Sequence, residues 1–329
     1  MIYIDFPFEK PQRLSFYLAA EEYVARYRKE NDCFFLWQVN PTVIIGRNQL
    51  LEAEVNLAYC RERKIDVVRR KSGGGCVYAD MTNVMFSYIN NGQNVTFTFD
   101  KYIQMVVEVL RKLDLAAETS GRNDILIDGK KVSGNAFYHL PGRNIVHGTM
   151  LYDTNIENMI KSITPNEQKL ISKGVKSVNQ HITLLKKYLP ISLEEFKAFV
   201  KENLCQEHIL LHPKEIRKIR EIELEYMDLN YFLGNNPKYS VVCKGRIEGC
   251  GDLELRIEVK ENTIQSISMS GDYFPIGDLD KDFFPTFEGV PYNKLAIANL
   301  LEKKHPEKYI NKLTKESLLD LMFERTNKN

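Results

Sequence analysis

The stretch from Arg69 to Tyr78 has the densest set of groups that could bind an anion, and it reads RRKSGGGCVY. Three consecutive glycines let a ligand approach the backbone closely and let several N–H groups point at an anion, while the preceding cations can neutralise phosphate. Taken alone, the glycines favour a flexible hairpin loop beside a solvated basic run. The stretch is not a Walker loop, because it lacks the GxxxxGK[ST] spacing. It is not a Rossmann fingerprint either, because Tyr78 stands where the last glycine would be needed.

A second group of polar residues follows an expected hairpin. Asp128-Gly129, between two short apolar runs, predicts a type I′ turn, because both central residues of that turn need positive φ. The stretch KKVSGNA follows directly, and a lysine on a strand beside small residues suits a cation that must meet a phosphate and a carboxylate together. Taken alone, such a lysine is more often an exposed cation of an edge strand. The same holds for His147, since a lone histidine is more often structural than catalytic.

Helical and strand-like patterns alternate along the first 230 residues and would position these groups. The apolar spacing after Pro11 predicts an amphipathic helix to about Arg28, and Asp100 is predicted to cap a second helix. A further hairpin should join residues 136–139 to 144–152. Short strands rich in β-branched and aromatic residues are predicted at 34–39, 42–45, 67–70 and 83–89. We therefore expect an α+β main domain.

The pattern changes after a loose segment at residues 230–239, NYFLGNNPKY, which is the predicted linker. From Leu253 to Val259, apolar and charged residues alternate strictly, which indicates a half-exposed strand. A second strand is predicted from Ile264 to Met269, and helices from about Tyr292. The sequence thus predicts a main domain at residues 1–236 and a small α+β accessory domain at 237–329.

Composition and charge exclude several classes of protein. The 329 residues carry 45 Lys plus Arg against 44 Asp plus Glu, a net charge of +1, which argues against a protein that mainly wraps nucleic acid. Six cysteines without a CxxC pair indicate neither a disulfide framework nor a zinc site. The N-terminus lacks the pattern of a signal peptide, and no apolar run approaches the ~18 residues of a membrane span. We expect a cytoplasmic protein.

Considered together, the strings RRKSGGGCVY, GRNDILIDGKKVSGNA and HGTML, in this order, resemble the lipoate–protein ligase family. LWQVNPTVIIGRNQ at 36–49 and KGVKSV at 173–178 extend the resemblance through the main domain. The alternating C-terminal segment resembles the small accessory domain of the family. The resemblance implies the fold of the biotin and lipoate ligases, a mixed sheet with flanking helices that is related to class II synthetase cores.

The resemblance also implies an activity and partners. Family members activate lipoate with ATP to lipoyl-AMP and pyrophosphate, and then acylate a lysine of a lipoyl-carrier domain, either an E2 subunit of a 2-oxoacid dehydrogenase or the glycine cleavage H protein. The small-molecule substrate would be lipoate or octanoate, and Mg²⁺ would arrive with ATP. We expect a monomer that binds neither nucleic acid nor membrane.

Site residues follow from the same resemblance. Arg70 falls on the ATP-binding arginine, and Lys131 on the lysine that contacts both lipoate and nucleotide. Trp37 and His147 match positions that line the acyl pocket. The remaining nucleotide-binding positions are Ser72, Gly73, Gly74, Gly75, Cys76, Val77 and Tyr78. Because a carboxylate that attacks an α-phosphate brings two anions together, a cation fixed between them would lower the barrier, and Lys131 is the expected catalytic residue.

Asp124, in GRND, is a candidate ligand for Mg²⁺ or a residue that orients the lysine. An aspartate at the start of a strand that caps its own turn fits the sequence equally well.

Two other functions remain alternatives at this point. An octanoyl or lipoyl transferase of the same fold would work through a thioester and would need a cysteine nucleophile near the lysine motif. Between Cys76 and Cys205 the sequence has no cysteine. A non-catalytic sensor of lipoyl-adenylate would be expected to lose Arg70 or Lys131, and both are present. The sequence therefore favours the ligase.

Overall fold

The computed structural model describes residues 1–30, 32–49, 51–92, 94–121, 123–163, 181–234 and 241–323. The stretch KGVKSV and residues 235–239 of the predicted linker lie outside these residues, whereas residues 230–233 of that linker are helical. The chain forms two compact units: the first comprises Met1–Ile45, Glu52–Arg70 and Cys76–Phe232, and the second Gly46–Leu51, Lys71–Gly75 and Leu233–Asn329. Two short segments from early in the sequence thus belong to the unit that holds the C-terminal part.

A mixed sheet forms the centre of the first unit. Its strands are β1 (Ile2–Asp5), β2 (Asp32–Trp37), β6 (Val84–Asn91), β7 (Ala117–Thr119), β8 (Asp124–Ile127), β9 (Lys130–Leu140), β10 (Arg143–Met150) and β11 (Glu207–Leu210). Within the described residues their order is β11-β1-β2-β6-β10-β9-β8-β7. β1 is parallel to β2 and β11, whereas the remaining pairs are antiparallel.

A smaller sheet accompanies it in the first unit. β3 (Thr42–Ile45) is parallel to β4 (Asp66–Arg69) and antiparallel to β5 (Val77–Ala79). This sheet holds the two ends of the predicted nucleotide-binding stretch, because Arg70 follows β4 and Val77 begins β5.

Helices flank the large sheet on both faces. The helices up to residue 234 are α1 (Leu14–Tyr27), α2 (Leu51–Glu54), α3 (Leu57–Glu62), α4 (Val95–Arg111), α5 (Ile156–Ser162), α6 (Leu193–Leu204), α7 (Pro213–Met227) and α8 (Leu229–Leu233), with a 3₁₀ turn at Leu185–Lys187. α1 is buried along nearly its whole length and packs against β6 and β10 on one side, the α1 face. On the other side, the α4 face, α4 packs against β9 and β10.

Local sequence signals account for several of these elements. Asp128 and Gly129 have φ of 50° and 69°, which confirms the predicted turn between β8 and β9. The predicted helix cap at Asp100 is wrong: the cap is Asn94, six residues earlier, whose side chain accepts a hydrogen bond from the Phe97 backbone. The poor helix formers Val95 and Thr96 hide this first turn in the sequence, and the Asn94 cap supplies the start.

The second unit has a sheet and a core of its own. β12 (Val241–Ile247), β13 (Gly251–Lys260) and β14 (Thr263–Gly271) form an antiparallel meander, and the helices α9 (Lys294–Lys304) and α10 (Lys315–Phe323) follow. A π-helical turn at Leu279–Phe283 and 3₁₀ turns at Phe284–Phe287 and Pro306–Lys308 lie between or beside them. Alternate residues of β13 are buried, as predicted, with Leu255 and Ile257 fully buried. In the described residues, no helix is both long and apolar enough to cross a membrane.

Gly148 on β10 offers a test of this packing. A Cβ atom at Gly148 would lie 1.9 Å from Asn135 Oδ1, and the Asn135 side-chain amide is held in place because its Nδ2 donates to the Asn123 backbone carbonyl. We expect Gly148→Ala to lower the free energy of unfolding by about 1–3 kcal/mol, the usual cost of overpacking. Urea denaturation would measure it, with Gly75→Ala as the control, because a Cβ there meets nothing nearer than 3.7 Å. Equal stability of the two variants would contradict the packing described.

Candidate functional site

A buried polar network lies between α1 and the large sheet. Trp37 donates from Nε1 to Ser87 Oγ at 2.8 Å, and Ser87 donates to Glu21 Oε1 at 2.6 Å. His147 Nδ1 lies 2.9 Å from Glu21 Oε2. Since a carboxylate only accepts hydrogen bonds, the imidazole donates through Nδ1. One carboxylate on α1 thus joins the two residues that were predicted to line the acyl pocket.

The register of the sheet explains why these side chains meet. Ser87 is paired with Phe35 on one side and with His147 on the other, so they share a face of the sheet. Trp37, two residues after Phe35, lies on the same face and stacks on Tyr17 of α1, with ring centroids 4.8 Å apart and planes at 17°. Glu21 and Ser87 are fully buried. A buried carboxylate is costly unless it accepts hydrogen bonds. Here Ser87 and His147 donate to Glu21 directly, and Trp37 donates to Ser87.

Lys131 also points to the α1 face, and a β-bulge is the cause. β8 and β9 are paired as Ile125 with Ser133 and then Leu126 with Lys131, so Val132 is an extra residue on β9. The bulge reverses the alternation, which brings Lys131 to the side of the sheet that also holds Gly134 and, through cross-strand pairing, Asp124.

Lys131 forms an ion pair on this face. Its Nζ lies 2.8 Å from Asp124 Oδ1, and the two side chains are 36% and 27% exposed, so a ligand can still reach the ammonium. Between this pair and the buried network, the face carries the small residues Gly134 and Ala136, which pair with Thr149 and His147 of β10. The structure therefore brings Lys131, Asp124, His147 and Trp37 to one sheet face.

Arg70 is a buried cation at the end of β4. It is 4% exposed, and its Nη1 donates to the Ile44 carbonyl at 3.2 Å. Burial lowers the pKa of Arg70 to about 10, because desolvation penalises the charged guanidinium. At neutral pH the residue is still charged, and a desolvated cation of this kind attracts anions more strongly than a surface one.

The glycine loop is packed within the second unit. A Cβ at Gly73 would lie 2.1 Å from the Tyr273 carbonyl, and one at Gly46 would lie 2.1 Å from the Gly74 carbonyl. Gly74 itself has φ of 84° and donates its N–H to Tyr273 at 3.0 Å. Glycine is thus required at 73 and 74 by the close approach of backbone segments and by a left-handed conformation. Ser72, fully buried, accepts from the Arg47 backbone at 3.0 Å.

The last part of the predicted stretch returns to the first unit. Val77 pairs with Ile44 of β3, and Tyr78, 1% exposed, pairs with Val43. The Tyr78 ring also borders an open cavity of about 420 Å³, which has Asp80 and Asp153 on its wall. Asp153 is ion-paired with Lys186, whereas the Asp80 carboxylate on the same wall disfavours a polyphosphate there.

Comparison with known proteins decides the family. Residues 14–205 match the lipoyl protein ligase A/B catalytic domain, and residues 236–322 match the bacterial lipoate protein ligase C-terminus. The lipoate-protein ligase LplJ of Bacillus subtilis is 33% identical, over 98% of this chain and 100% of the relative. The lipoate–protein ligase 1 of Staphylococcus aureus is 32% identical, over 93% and 95%. This chain belongs to the lipoate–protein ligase family.

Solved structures show the corresponding fold. Plasmodium falciparum LipL1, in complex with lipoate, superposes with a TM-score of 0.75 at 22% identity, over 97% of each chain. A bipartite archaeal lipoate protein ligase from Thermoplasma acidophilum, studied with its E2 lipoyl domain, has a TM-score of 0.64 at 25% identity, over 73% of this chain and 98% of that one. The fold class predicted from the sequence is confirmed, including the small α+β C-terminal part.

The thiols of this ligase are poorly suited to act as nucleophiles. Burial raises the pKa of Cys76 to about 12, so the thiol is protonated at neutral pH. Burial likewise raises the pKa of the other thiols for which the structure gives a shift: Cys33 and Cys60 to about 11, Cys205 to about 12, and Cys243. An acyl-thioester mechanism would need a thiol with the opposite shift.

Sequence reasoning missed Glu21 and Ser87. Glu21 had a detectable signal, since it occupies a position of α1 that shares a face with Tyr17 and Val24, and a carboxylate among apolar residues needs a buried partner. Ser87 lies in the middle of an apolar strand and gave a weaker form of the same signal.

The Glu21 network can be tested by its contribution to stability. In Glu21→Leu, the Nδ1 donor of His147 and the hydroxyl of Ser87 lose their acceptor, and each buried donor should cost about 1–3 kcal/mol. Glu21→Gln, which keeps one carbonyl oxygen, should lose less. Urea denaturation of the two variants and the wild type would measure the order, and a Glu21→Leu variant as stable as the wild type would contradict the network.

A second prediction concerns the thiols. Because the Cys76 thiol is protonated at neutral pH, Cys76→Ser should retain both activation and transfer of the acyl group, with rates close to those of the wild type. Mass spectrometry of the wild type, incubated with an acylated carrier domain, should find no acyl group on any cysteine. An acylated cysteine would indicate a transferase.

Proposed function

We propose that this ligase catalyses two steps on one site. A carboxylate oxygen of lipoate attacks the α-phosphorus of ATP, the bond to the β-phosphate oxygen breaks, and pyrophosphate leaves. The ε-amine of a carrier lysine then attacks the acyl carbon of lipoyl-AMP, and AMP leaves as the amide forms. The observation that carries the proposal is the fixed Lys131 ammonium on the same sheet face as the Trp37–His147 network.

Lys131 would act in the first step through charge. The attacking carboxylate and the α-phosphate are both anionic, and negative charge increases on the phosphoryl oxygens as the bond forms. A cation already held in place stabilises that charge without reorganisation of solvent. We propose that Asp124 orients Lys131, which is the second of the two roles predicted for it, because the two groups are 2.8 Å apart.

The nucleotide would be held by Arg70 and by the backbone of the stretch from Ser72 to Tyr78. The lowered pKa of Arg70 supports this role, because a bound phosphate would supply the negative charge that favours the charged guanidinium. For Tyr78 we propose a backbone contact only, because its side chain lines a cavity that has the Asp80 carboxylate on its wall.

A protein-held magnesium ion does not fit the residues present. Asp124 Oδ1 is 2.8 Å from an ammonium group, and a second cation on that carboxylate would be repelled. Among the described residues, no group of three or more His, Cys, Asp or Glu side chains is placed to hold a metal ion. We propose that Mg²⁺ enters with the phosphates of ATP as part of the substrate, and no step of the mechanism is assigned to it.

Trp37 and His147 would form walls of the acyl pocket. Their orientation is fixed by the shared Glu21 carboxylate and, for Trp37, by stacking on Tyr17. An apolar wall separates acyl chains that differ by one methylene by only about 1–3 kcal/mol, so this wall alone would discriminate weakly by chain length.

The acceptor would be a lipoyl-carrier domain, an E2 subunit or the glycine cleavage H protein. The archaeal relative studied with its E2 lipoyl domain supports this class of partner. We propose residues 1–236 as the catalytic domain and 237–329 as the accessory domain, a division that the two family matches support. A monomer in the cytoplasm stays the expectation from the sequence.

The proposal predicts that Lys131→Ala loses adenylate formation. Removal of one preorganised charge from a transition state typically lowers kcat by about 10²–10³-fold, and lipoate-dependent exchange of labelled pyrophosphate into ATP would measure it. Lys130→Ala is the matched control, because Lys130 is the exposed neighbour on the opposite face and its loss should leave the exchange rate nearly unchanged.

Two results would contradict the proposal. If the wild-type protein shows no lipoate-dependent exchange, the chain does not form the adenylate. If Lys130→Ala loses the exchange and Lys131→Ala keeps it, the wrong lysine has been assigned.

A further inference from the structure

The geometry points to Gly134 as a positioning residue for Lys131. Its missing side chain leaves the space through which the lysine reaches Asp124, so glycine at this position would be needed for the reaction and not for the fold. The inference rests on the proposed role of Lys131 and adds a residue to which the sequence comparison gave no role.

The space above Gly134 is filled by the end of the Lys131 side chain. A Cβ atom on Gly134 would lie 2.8 Å from Lys131 Nζ and 2.9 Å from Lys131 Cε. Both distances are well below ordinary contact, which is about 3.5–4.0 Å between carbon atoms. The same Cβ would be 3.8 Å from Asp124 Oδ1, which is an ordinary contact. An alanine would therefore displace the lysine and leave the aspartate where it is.

The β-bulge explains why the lysine crosses this particular residue. Gly134 is paired with Asp124, and Lys131 would point away from both if β9 alternated regularly. The extra residue, Val132, is fully buried and turns Lys131 back over the strand toward Asp124. The path from the Lys131 backbone to Asp124 then passes over Gly134, where a side chain would normally stand.

Gly134 differs in this from other glycines of the chain. Gly73, Gly46 and Gly148 are required by backbone or by a hydrogen-bonded amide, so a side chain there would distort the fold. At Gly134 the obstructing atoms belong to the end of a flexible side chain, and the backbone φ is not in the left-handed region. The fold can accommodate an alanine by moving the lysine. We therefore expect a cost in activity with little cost in stability.

The size of the effect follows from the displacement. To reach ordinary contact distance from the new Cβ, the ammonium must move by about 1 Å, and a misplacement of that size in a catalytic group can cost about 10²-fold in rate. Because the ion pair with Asp124 is lost or lengthened at the same time, the lysine would also lose its orientation. The variant Gly134→Ala should thus resemble a weaker form of Lys131→Ala.

The test compares Gly134→Ala with Ser133→Ala in the full-length protein. Ser133 is the adjacent residue of β9 and points to the opposite face, so it does not contact the lysine. Pyrophosphate exchange should fall about 10²-fold in Gly134→Ala, with kcat affected more than the KM for lipoate, and stay near the wild-type rate in Ser133→Ala. Urea denaturation should show similar stability for the wild type and Gly134→Ala.

A double variant distinguishes an effect of Gly134 that acts through Lys131 from an effect on activity that does not. If Gly134 acts through Lys131, adding Gly134→Ala to Lys131→Ala should cause no further loss, since the interaction it affects is already absent. A further loss equal to that of the single variant would overturn the inference, as would wild-type exchange by Gly134→Ala.

A measurement independent of activity distinguishes this inference from the proposed function. Lysines can be labelled by reductive ¹³C-methylation, and the Lys131 signal is identified by its absence in Lys131→Ala. The signal should shift in Gly134→Ala and stay in place in Ser133→Ala. Absence of exchange in the wild type, together with this shift, would overturn the proposed function alone, whereas an unmoved signal would overturn the role of Gly134.

Discussion

The ion pair between Lys131 and Asp124 is the interaction on which the proposed site depends. An ammonium group can assist the union of two anions only if it is held between them before they arrive, because reorientation during the reaction would cost the energy that it is meant to supply. The pair is 2.8 Å long and partly open to solvent. Its position follows from one extra residue in β9, which sends the lysine to the face of the sheet that α1 covers.

The glycines of this ligase serve different physical purposes. At Gly73 and Gly74, glycine is required because the loop backbone lies directly against the backbone of Tyr273 in the same unit. At Gly134 the requirement is room for another residue's side chain. Glycines that are close in sequence invite a single explanation, and the contacts show that these positions have different ones.

The buried network of Glu21 adds a cost that a purely structural core would avoid. A carboxylate, a hydroxyl, an imidazole and an indole N–H are buried together, and apolar residues of similar size would pack there with less risk. What the polar groups give is direction. Each hydrogen bond accepts only a narrow range of geometry, so Trp37 and His147 are fixed relative to one another and to α1.

The sequence by itself determined the family, the α+β class, the hairpin at Asp128-Gly129 and the identity of Arg70 and Lys131 as candidates, since these depend on residue types and on short spacings. Tertiary structure decided the rest. Glu21 is 126 residues from His147 in the chain, and only the packing of α1 on β10 makes them partners. The side of the sheet on which Lys131 lies depends on the bulge at Val132, because side-chain alternation has a period of two and one extra residue reverses it.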